Sequence, residues 1–200
     1  MMKREKRLTP YFVKKLESIE VRTPKKISEL LLEMAKTGFQ GRKLGEVVDV
    51  WSEMLKDNIV IFFGYAGSMS TTGQWKIINW LIEKRFIDVI VSTGANISED
   101  ILKAMGGTYW QGQHIIDDED LARHKIDRFY DVLVDEYEYE EMENLIADFM
   151  STLNPNYNYS SAEFLYLFGE YLSKLGVECI VAKAYKNSVP VFCPAIVDSA

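Results

Sequence analysis

The chain has 200 residues, of which 48% are hydrophobic and 26% are charged. This length suits one domain or somewhat more, because domains typically run to about 100–200 residues, and the composition excludes fibrous and largely disordered proteins. The net charge of −7 is unevenly distributed, since residues 1–26 carry nine Lys or Arg and three Glu, a net +6 that leaves −13 for the rest of the chain.

The basic segment, residues 1–26, predicts a solvated arm. Nucleic-acid binding is the weaker alternative, because the segment has few aromatic residues and no groove-specific spacing. It lacks the apolar core of a secretory signal, and no apolar run of the chain approaches the ~20 residues that cross a bilayer. Cys179 and Cys193 have neither zinc-site nor disulfide-framework spacing. We therefore expect a cytoplasmic protein that binds neither nucleic acid nor a membrane.

Helical patterns follow the arm. A first helix is expected to begin with Ser28 as its N-cap and to end at Gly38, and a second covers Arg42 to Lys56. The pattern then changes, because residues 58–65 (NIVIFFGY) form a continuous apolar run rich in β-branched and aromatic residues. Such a run predicts a strand that is covered on both faces, as in a parallel sheet.

Strand, loop and helix then alternate along the chain. A helix over residues 73–84, a buried strand over 88–92 and a helix over 97–105 complete a βαβα unit. This order predicts a right-handed, doubly wound, mostly parallel sheet. We therefore predict a basic N-terminal arm over residues 1–26 and a Rossmann-like α/β domain over residues 27–200, whose first two helices make the N-terminal part of the chain helical.

The second half of the chain has weaker patterns. Glutamates at the start of one expected helix favour the positive end of its dipole, and we interpret them as a solvated acidic face rather than a metal site. The expected elements are a short helix over 118–124, a strand over 129–134, the glutamate-rich helix over 139–153, a helix from Ser160 or Ser161 to Leu175 stopped by Gly176, a helix over 177–186 and a last buried strand over 189–194.

Two glycine-containing loops follow predicted strands, over Gly64–Gly73 and Thr93–Asp100, and residues 195–200 follow a third. Ligands of open parallel sheets bind at the carboxyl ends of the strands. Glycines let backbone N–H groups approach a phosphate, hydroxyls donate hydrogen bonds, and the next helix points its positive end there. The spacing is neither the dinucleotide fingerprint nor a P-loop. A nucleotide site and a plain hydroxyl-capped turn therefore both remain open.

Three carboxylates, Glu99, Asp100 and Asp198, lie near predicted strand ends. They could accept hydrogen bonds from a ribose hydroxyl or hold a cationic amine, and helix capping is the alternative for Glu99 and Asp100. His114 and His124 have no partners at ligand spacing, so we expect them at the surface or in loops.

Five segments together resemble the deoxyhypusine synthase family, and specifically its divergent deoxyhypusine-synthase-like branch. Their order and separation also fit from Thr37 to the end of the chain. The segments are TGFQGRKLGEVVDVW, FFGYAGSMSTTGQWKIINWLIEKRFIDVIVSTGANISEDILKAMGGTY, HKIDRFYDVLV, SSAEFLYLFGEYL and VPVFCPAIVD.

The resemblance implies an NAD-dependent transferase. Such an enzyme moves the aminobutyl group of spermidine, through an imine on an enzyme lysine, to a lysine of the hypusine-bearing translation initiation factor. It also implies a homotetramer with active sites at subunit interfaces, and a contact between Glu99 and spermidine. Carried over by position, the residues that would bind NAD are Gly67, Ser68, Met69, Ser70, Thr71, Thr93, Gly94, Ala95, Glu99 and Asp198.

The sequence departs from the family at several positions. Ala66-Gly67-Ser68 replaces the usual Thr-Ser-Asn, and Ser98-Glu99 stands where the family has paired glutamates. A homospermidine-synthase-type transfer to putrescine, a non-catalytic NAD-binding regulatory subunit and a plain nucleotide-binding module therefore remain alternatives. No lysine stands in the family's imine-forming motif, so we expect an N-terminal portion of such a protein and assign no catalytic residue.

Overall fold

The computed structural model of the protein describes residues 13–196. The chain divides into two compact units, whose described parts are residues 13–59 and 60–196. Residues 1–12 of the predicted basic arm lie outside the described residues. The first unit contains the helices α1 (Ile27–Met34) and α2 (Phe39–Met54).

The close packing of α1 and α2 depends on Gly45, the only buried residue of α2. A Cβ at this position would lie 2.6 Å from the carbonyl oxygen of Leu31. The predicted ends of α1 are wrong. Lys26 rather than Ser28 is the N-cap, and the last residue of α1 is Met34, with Ala35 as its C-cap. Gly38 is instead the N-cap of α2, because its extended φ of −115° cannot form a left-handed helix end.

The second unit contains six strands and six helices within its described part. In chain order they are β1 (Phe62–Tyr65), α3 (Trp75–Glu83), β2 (Val89–Ser92), α4 (Gly94–Ala104), β3 (Trp110–Gln111), α5 (Asp118–Arg123), β4 (Ile126–Phe129), β5 (Val132–Asp135), α6 (Glu136–Ser151), α7 (Ser161–Leu175), α8 (Ile180–Lys186) and β6 (Val191–Phe192).

Strands β1, β2 and β6 form a parallel sheet in the order β1-β2-β6. This confirms the α/β class and the parallel pairing of the first two predicted strands. Ile90 in the central strand β2 is fully buried. Phe62 in the edge strand β1 is 66% exposed, so the predicted burial of that strand on both faces is not found. The doubly wound arrangement stays a prediction.

A second, antiparallel sheet has the order β3-β5-β4. The single strand predicted over 129–134 is therefore wrong, because the chain reverses within it. Tyr130 has a positive φ of 57°, and Phe129 pairs with Val132 across the turn. A left-handed conformation is uncommon for a tyrosine, and glycine is the residue that usually occupies it in a turn. Because residues 129–132 contain no glycine, the sequence gives no local sign of this reversal.

Helices α7 and α8 pack against each other, and α7 also packs against β6, the last strand of the parallel sheet. Ser160 is the N-cap of α7 in a capping box with Glu163, and Gly176 ends the helix with a φ of 78°, as predicted. Helix α8 begins at Ile180 rather than at residue 177. Over residues 13–196, no helix has both the length and the apolar character that crossing a membrane requires.

Candidate functional site

A cleft of about 1080 Å³ lies at the carboxyl ends of the parallel strands. Gly64 and Tyr65 of β1, Ser92 of β2, and Pro194 and Ala195 after β6 line it. This is the edge of the sheet at which the sequence predicts a ligand site, because parallel strands all direct their carboxyl ends there.

Asn96 joins the two predicted loops beside this cleft. Its Oδ1 accepts a hydrogen bond from the backbone N–H of Met69 (3.0 Å), and its carbonyl oxygen accepts one from Ser70 Oγ (3.0 Å). Its Nδ2 donates to Thr93 Oγ1 (2.9 Å), and the residue has no exposed surface. The buried Asn96, which is not among the predicted site residues, therefore links the loop after β1 to the start of α4.

Glu99 lines the cleft and is only 2% exposed. Its Oε1 accepts a hydrogen bond from Ser68 Oγ (3.0 Å), and its carbonyl oxygen accepts one from the Tyr109 hydroxyl (3.0 Å). Its Oε2 is buried with no hydrogen-bond partner among the described residues. Burying a carboxylate oxygen without a donor is costly. Glu99 is therefore suited to a ligand that supplies an ammonium or a hydroxyl donor.

The first turn of α4 provides partial positive charge beside the Glu99 carboxylate. Thr93 is its N-cap and makes no side-chain capping bond, so the first backbone N–H groups of the helix are not capped by that side chain. Thr93, Gly94 and Ala95 line the cleft. Free N–H groups and the positive end of a helix favour an anionic group such as a pyrophosphate, and these small side chains allow close approach.

The other residues predicted to bind NAD occupy different positions. Gly67 has a φ of 77°, a conformation that favours glycine. Ser70 and Thr71 line a second cavity of about 660 Å³, to which Tyr109 and Lys103 also contribute. The remaining residue of that set, at position 198 (Asp198), lies outside the described residues.

Asp100 has a structural role that the sequence analysis assigned to the wrong helix. It is 1% exposed and does not line the cleft. One of its carboxylate oxygens accepts a hydrogen bond from the backbone N–H of Ile180, so it caps α8 rather than its own helix. Burial raises the pKa of Asp100 to about 7, and the bond from Ile180 opposes that increase.

Four further carboxylates line the side of the cleft formed by β4 and α6, and we call them the acidic wall: Asp127, Glu136, Glu140 and Glu143. None of the described residues that line the cleft is Lys, Arg or His. Residues spaced i, i+4 and i+7 share one face of a helix, so the spacing of the three glutamates was the signal for this wall. The acidic face of α6, which the sequence predicts to be solvated, therefore lines the cleft in part.

Both histidines are exposed and away from the cleft, as expected. His114 stacks on Tyr130 with ring centroids 5.2 Å apart, and His124 Nδ1 lies 2.8 Å from the carbonyl oxygen of Asp120.

Comparison with known proteins matches residues 29–200 to the sequence model of the deoxyhypusine synthase family. A protein of Methanosarcina mazei named probable deoxyhypusine synthase 2 is 44% identical over 176 residues, which cover 86% of this chain and 51% of that protein. A deoxyhypusine synthase-like protein of Chlorobaculum tepidum is 37% identical over 180 residues, covering 88% of this chain and 51% of that protein. The chain thus spans about half the length of the curated relatives it matches.

One solved structure, of an Entamoeba histolytica protein assigned as a deoxyhypusine synthase, is similar in fold. The TM-score is 0.60 at 20% sequence identity, and the match covers 92% of this chain and 65% of that chain. At this identity the likeness concerns the fold alone.

Proposed function

Because the chain belongs to the deoxyhypusine synthase family, we propose that it serves in the NAD-dependent transfer of the spermidine aminobutyl group to a lysine of the hypusine-bearing translation initiation factor. The observation that carries the proposal is the buried Glu99, whose Oε2 has no partner among the described residues. It lies in a cleft that also presents the N-terminus of α4. One site thus combines a position for a cation with a position for an anion.

In this proposal the first turn of α4, over Thr93–Ala95, binds the pyrophosphate of NAD. The hydrogen bonds through Asn96 hold the loop over Gly67–Thr71 beside that turn, and Asp198 would complete the cofactor site. NAD, when bound, supplies the acceptor for the hydride that spermidine loses. The proposal includes the doubly wound, Rossmann-like arrangement of the sheet.

Glu99 holds the amine of spermidine in this proposal. Its Oε1 is already occupied by Ser68 Oγ at 3.0 Å, so its Oε2 is the oxygen that accepts from the ammonium. A charge-assisted hydrogen bond of this kind is about twice as strong as a neutral one. Ser68 therefore acts as the residue that orients the carboxylate.

The proposal also covers assembly and location. We propose a cytoplasmic homotetramer that acts on spermidine and the initiation factor. It assigns no imine-forming lysine, because no lysine of this sequence stands in the motif that the resemblance requires.

A labelling experiment tests the proposal against its alternatives. The protein is incubated with NAD and spermidine labelled in its aminobutyl group, together with either the initiation factor or putrescine. Label on the factor, with spermidine-dependent NADH formation in its absence, supports the proposal. Label on putrescine alone indicates the homospermidine route, which the single glutamate at Ser98-Glu99 favours. NAD binding without any transfer, in a sample that also contains the part of the protein with the imine-forming lysine, indicates a regulatory subunit.

A further inference from the structure

Among the described residues, only Glu136 of the four carboxylates in the acidic wall has an ion pair, and Asp127, Glu140 and Glu143 have none. Glu140 and Glu143 have no ion pair or hydrogen bond with any described residue, whereas Lys125 Nζ lies 3.1 Å from Glu136 Oε2. Helices α4 and α6 pack against each other. Ser98, which precedes Glu99 on α4, and Glu143 both line the cleft and an adjoining apolar pocket. The wall therefore faces the helix that carries Glu99.

The arrangement favours an organic cation over a metal ion. Among residues 13–196, no group of three or more His, Cys, Asp and Glu side chains is placed to hold a metal. The carboxylates are instead spread along the helix, since a rise of about 1.5 Å per residue separates positions 136 and 143 by about 10 Å.

The surface between the carboxylates also suits such a chain. The rings of Phe129 and Tyr139 line the cleft, with centroids 6.3 Å apart. Aromatic faces attract ammonium groups and pack against methylene chains. The buried, unpartnered Oε2 of Glu99 is the second observation, independent of the wall, that indicates a cationic ligand in this cleft.

We propose that Glu140 and Glu143 bind the distal ammonium of a linear polyamine whose other end contacts Glu99. This rests on the proposed function, and it adds a second anionic subsite on α6. The subsite favours amines that carry two or more charges, because a monoamine bound at Glu99 has no second ammonium for Glu140 and Glu143 to bind. Phe129 and Tyr139 support the methylene chain between the two subsites.

The test compares two variants of the protein by NMR titration with spermidine and with butylamine, which has a single ammonium. The variant Glu140→Gln/Glu143→Gln removes the subsite but keeps the shape of both side chains. The matched control is Glu141→Gln, since Glu141 is an exposed glutamate of the same helix that does not line the cleft. Circular dichroism checks that each variant remains folded.

We expect the double variant to bind spermidine about tenfold more weakly, as the loss of one charge-assisted contact predicts. Its affinity for butylamine should be unchanged, and Glu141→Gln should bind both amines like the original protein. Unchanged spermidine affinity in the double variant would overturn the proposal, and so would an equal loss in Glu141→Gln. Weakened binding of the initiation factor alone would also overturn it, because the wall would then contact a protein.

These titrations, combined with an assay of spermidine-dependent NADH formation, separate this inference from the proposed function. If spermidine binding depends on Glu140 and Glu143 but no spermidine-dependent NADH forms, the proposed function fails and the subsite stands. If NADH forms and the double variant binds spermidine normally, only the subsite fails.

Discussion

Glu99 and Asp100 are adjacent carboxylates on α4 with different surroundings. Both are almost fully buried. Each accepts one hydrogen bond and keeps a second oxygen that is buried with no partner among the described residues. Glu99 lines the cleft, whereas Asp100 does not and caps α8 instead. Neither burial nor an unpartnered oxygen therefore distinguishes a ligand-binding carboxylate from a structural one, and the position at the cleft does.

We expect Glu99→Gln to weaken spermidine binding by about 1.5–3 kcal/mol, because the neutral amide cannot form a charge-assisted bond with an ammonium. The measurement is the spermidine dissociation constant, together with the KM for spermidine in NADH formation. Ser68→Ala is the control, and it should cause a smaller loss because it removes only the donor to Oε1. Normal spermidine affinity in Glu99→Gln would remove this residue from the site.

Asp100→Asn should change how stability depends on pH. Burial raises the pKa of Asp100 from 3.8 to about 7, so the folded protein disfavours the charged form. Its contribution to stability is therefore full below pH 3.8 and is lost as the pH rises to about 7. Asn carries no charge at any pH and should remove this loss. Urea unfolding measures the free energy of unfolding at pH 5 and at pH 8. We expect this free energy to decrease less between the two pH values in the variant than in the original protein, and equal decreases would contradict the prediction.

At the scale of elements, the sequence predicted what depends on local pattern. The apolar runs and glycine loops around β1 and β2 identify two parallel strands and the helices after them, and the capping box at Ser160 identifies the start of α7. The hairpin at Tyr130 was missed because nothing local marks a left-handed tyrosine. The spacing of Glu136, Glu140 and Glu143 indicates a shared helix face, but it does not indicate that this face lines the cleft, because that depends on where the hairpin and α6 pack in the fold.

The contact between α7 and α8 should be sensitive to a single methyl group. A Cβ on Gly169 would lie 2.6 Å from the carbonyl oxygen of Val181 and 2.8 Å from Tyr185 Cβ. We expect Gly169→Ala to lower the free energy of unfolding by about 1–3 kcal/mol, as overpacking does. Urea unfolding measures this loss. Gly64→Ala is the control for stability, since a Cβ there meets no atom within 4 Å. Equal stabilities of the two variants would show that the helices separate to admit the methyl group.

At the scale of the whole molecule, the apolar surface around β1 needs an explanation. Val60 is 64% exposed and Phe62 is 66% exposed, and β1 is an edge strand of the described parallel sheet. Exposed apolar edge strands are usually covered or blocked, because they pair readily with other chains. The homotetramer that the resemblance implies would provide such cover.

We therefore expect the protein to self-associate through this surface and Phe62→Lys to weaken that association. A lysine on an edge strand adds charge where another copy would pack, and charged side chains are a common block to edge pairing. Sedimentation velocity at micromolar concentration measures the assembly of both proteins. Ile115→Lys is the matched control, because Ile115 is 77% exposed in a loop and belongs to neither sheet. A stable monomer of the original protein would contradict the assembly, and an intact assembly in Phe62→Lys would place its interface elsewhere. If Phe62→Lys alone dissociates the assembly, the edge of β1 is the surface that a second copy covers.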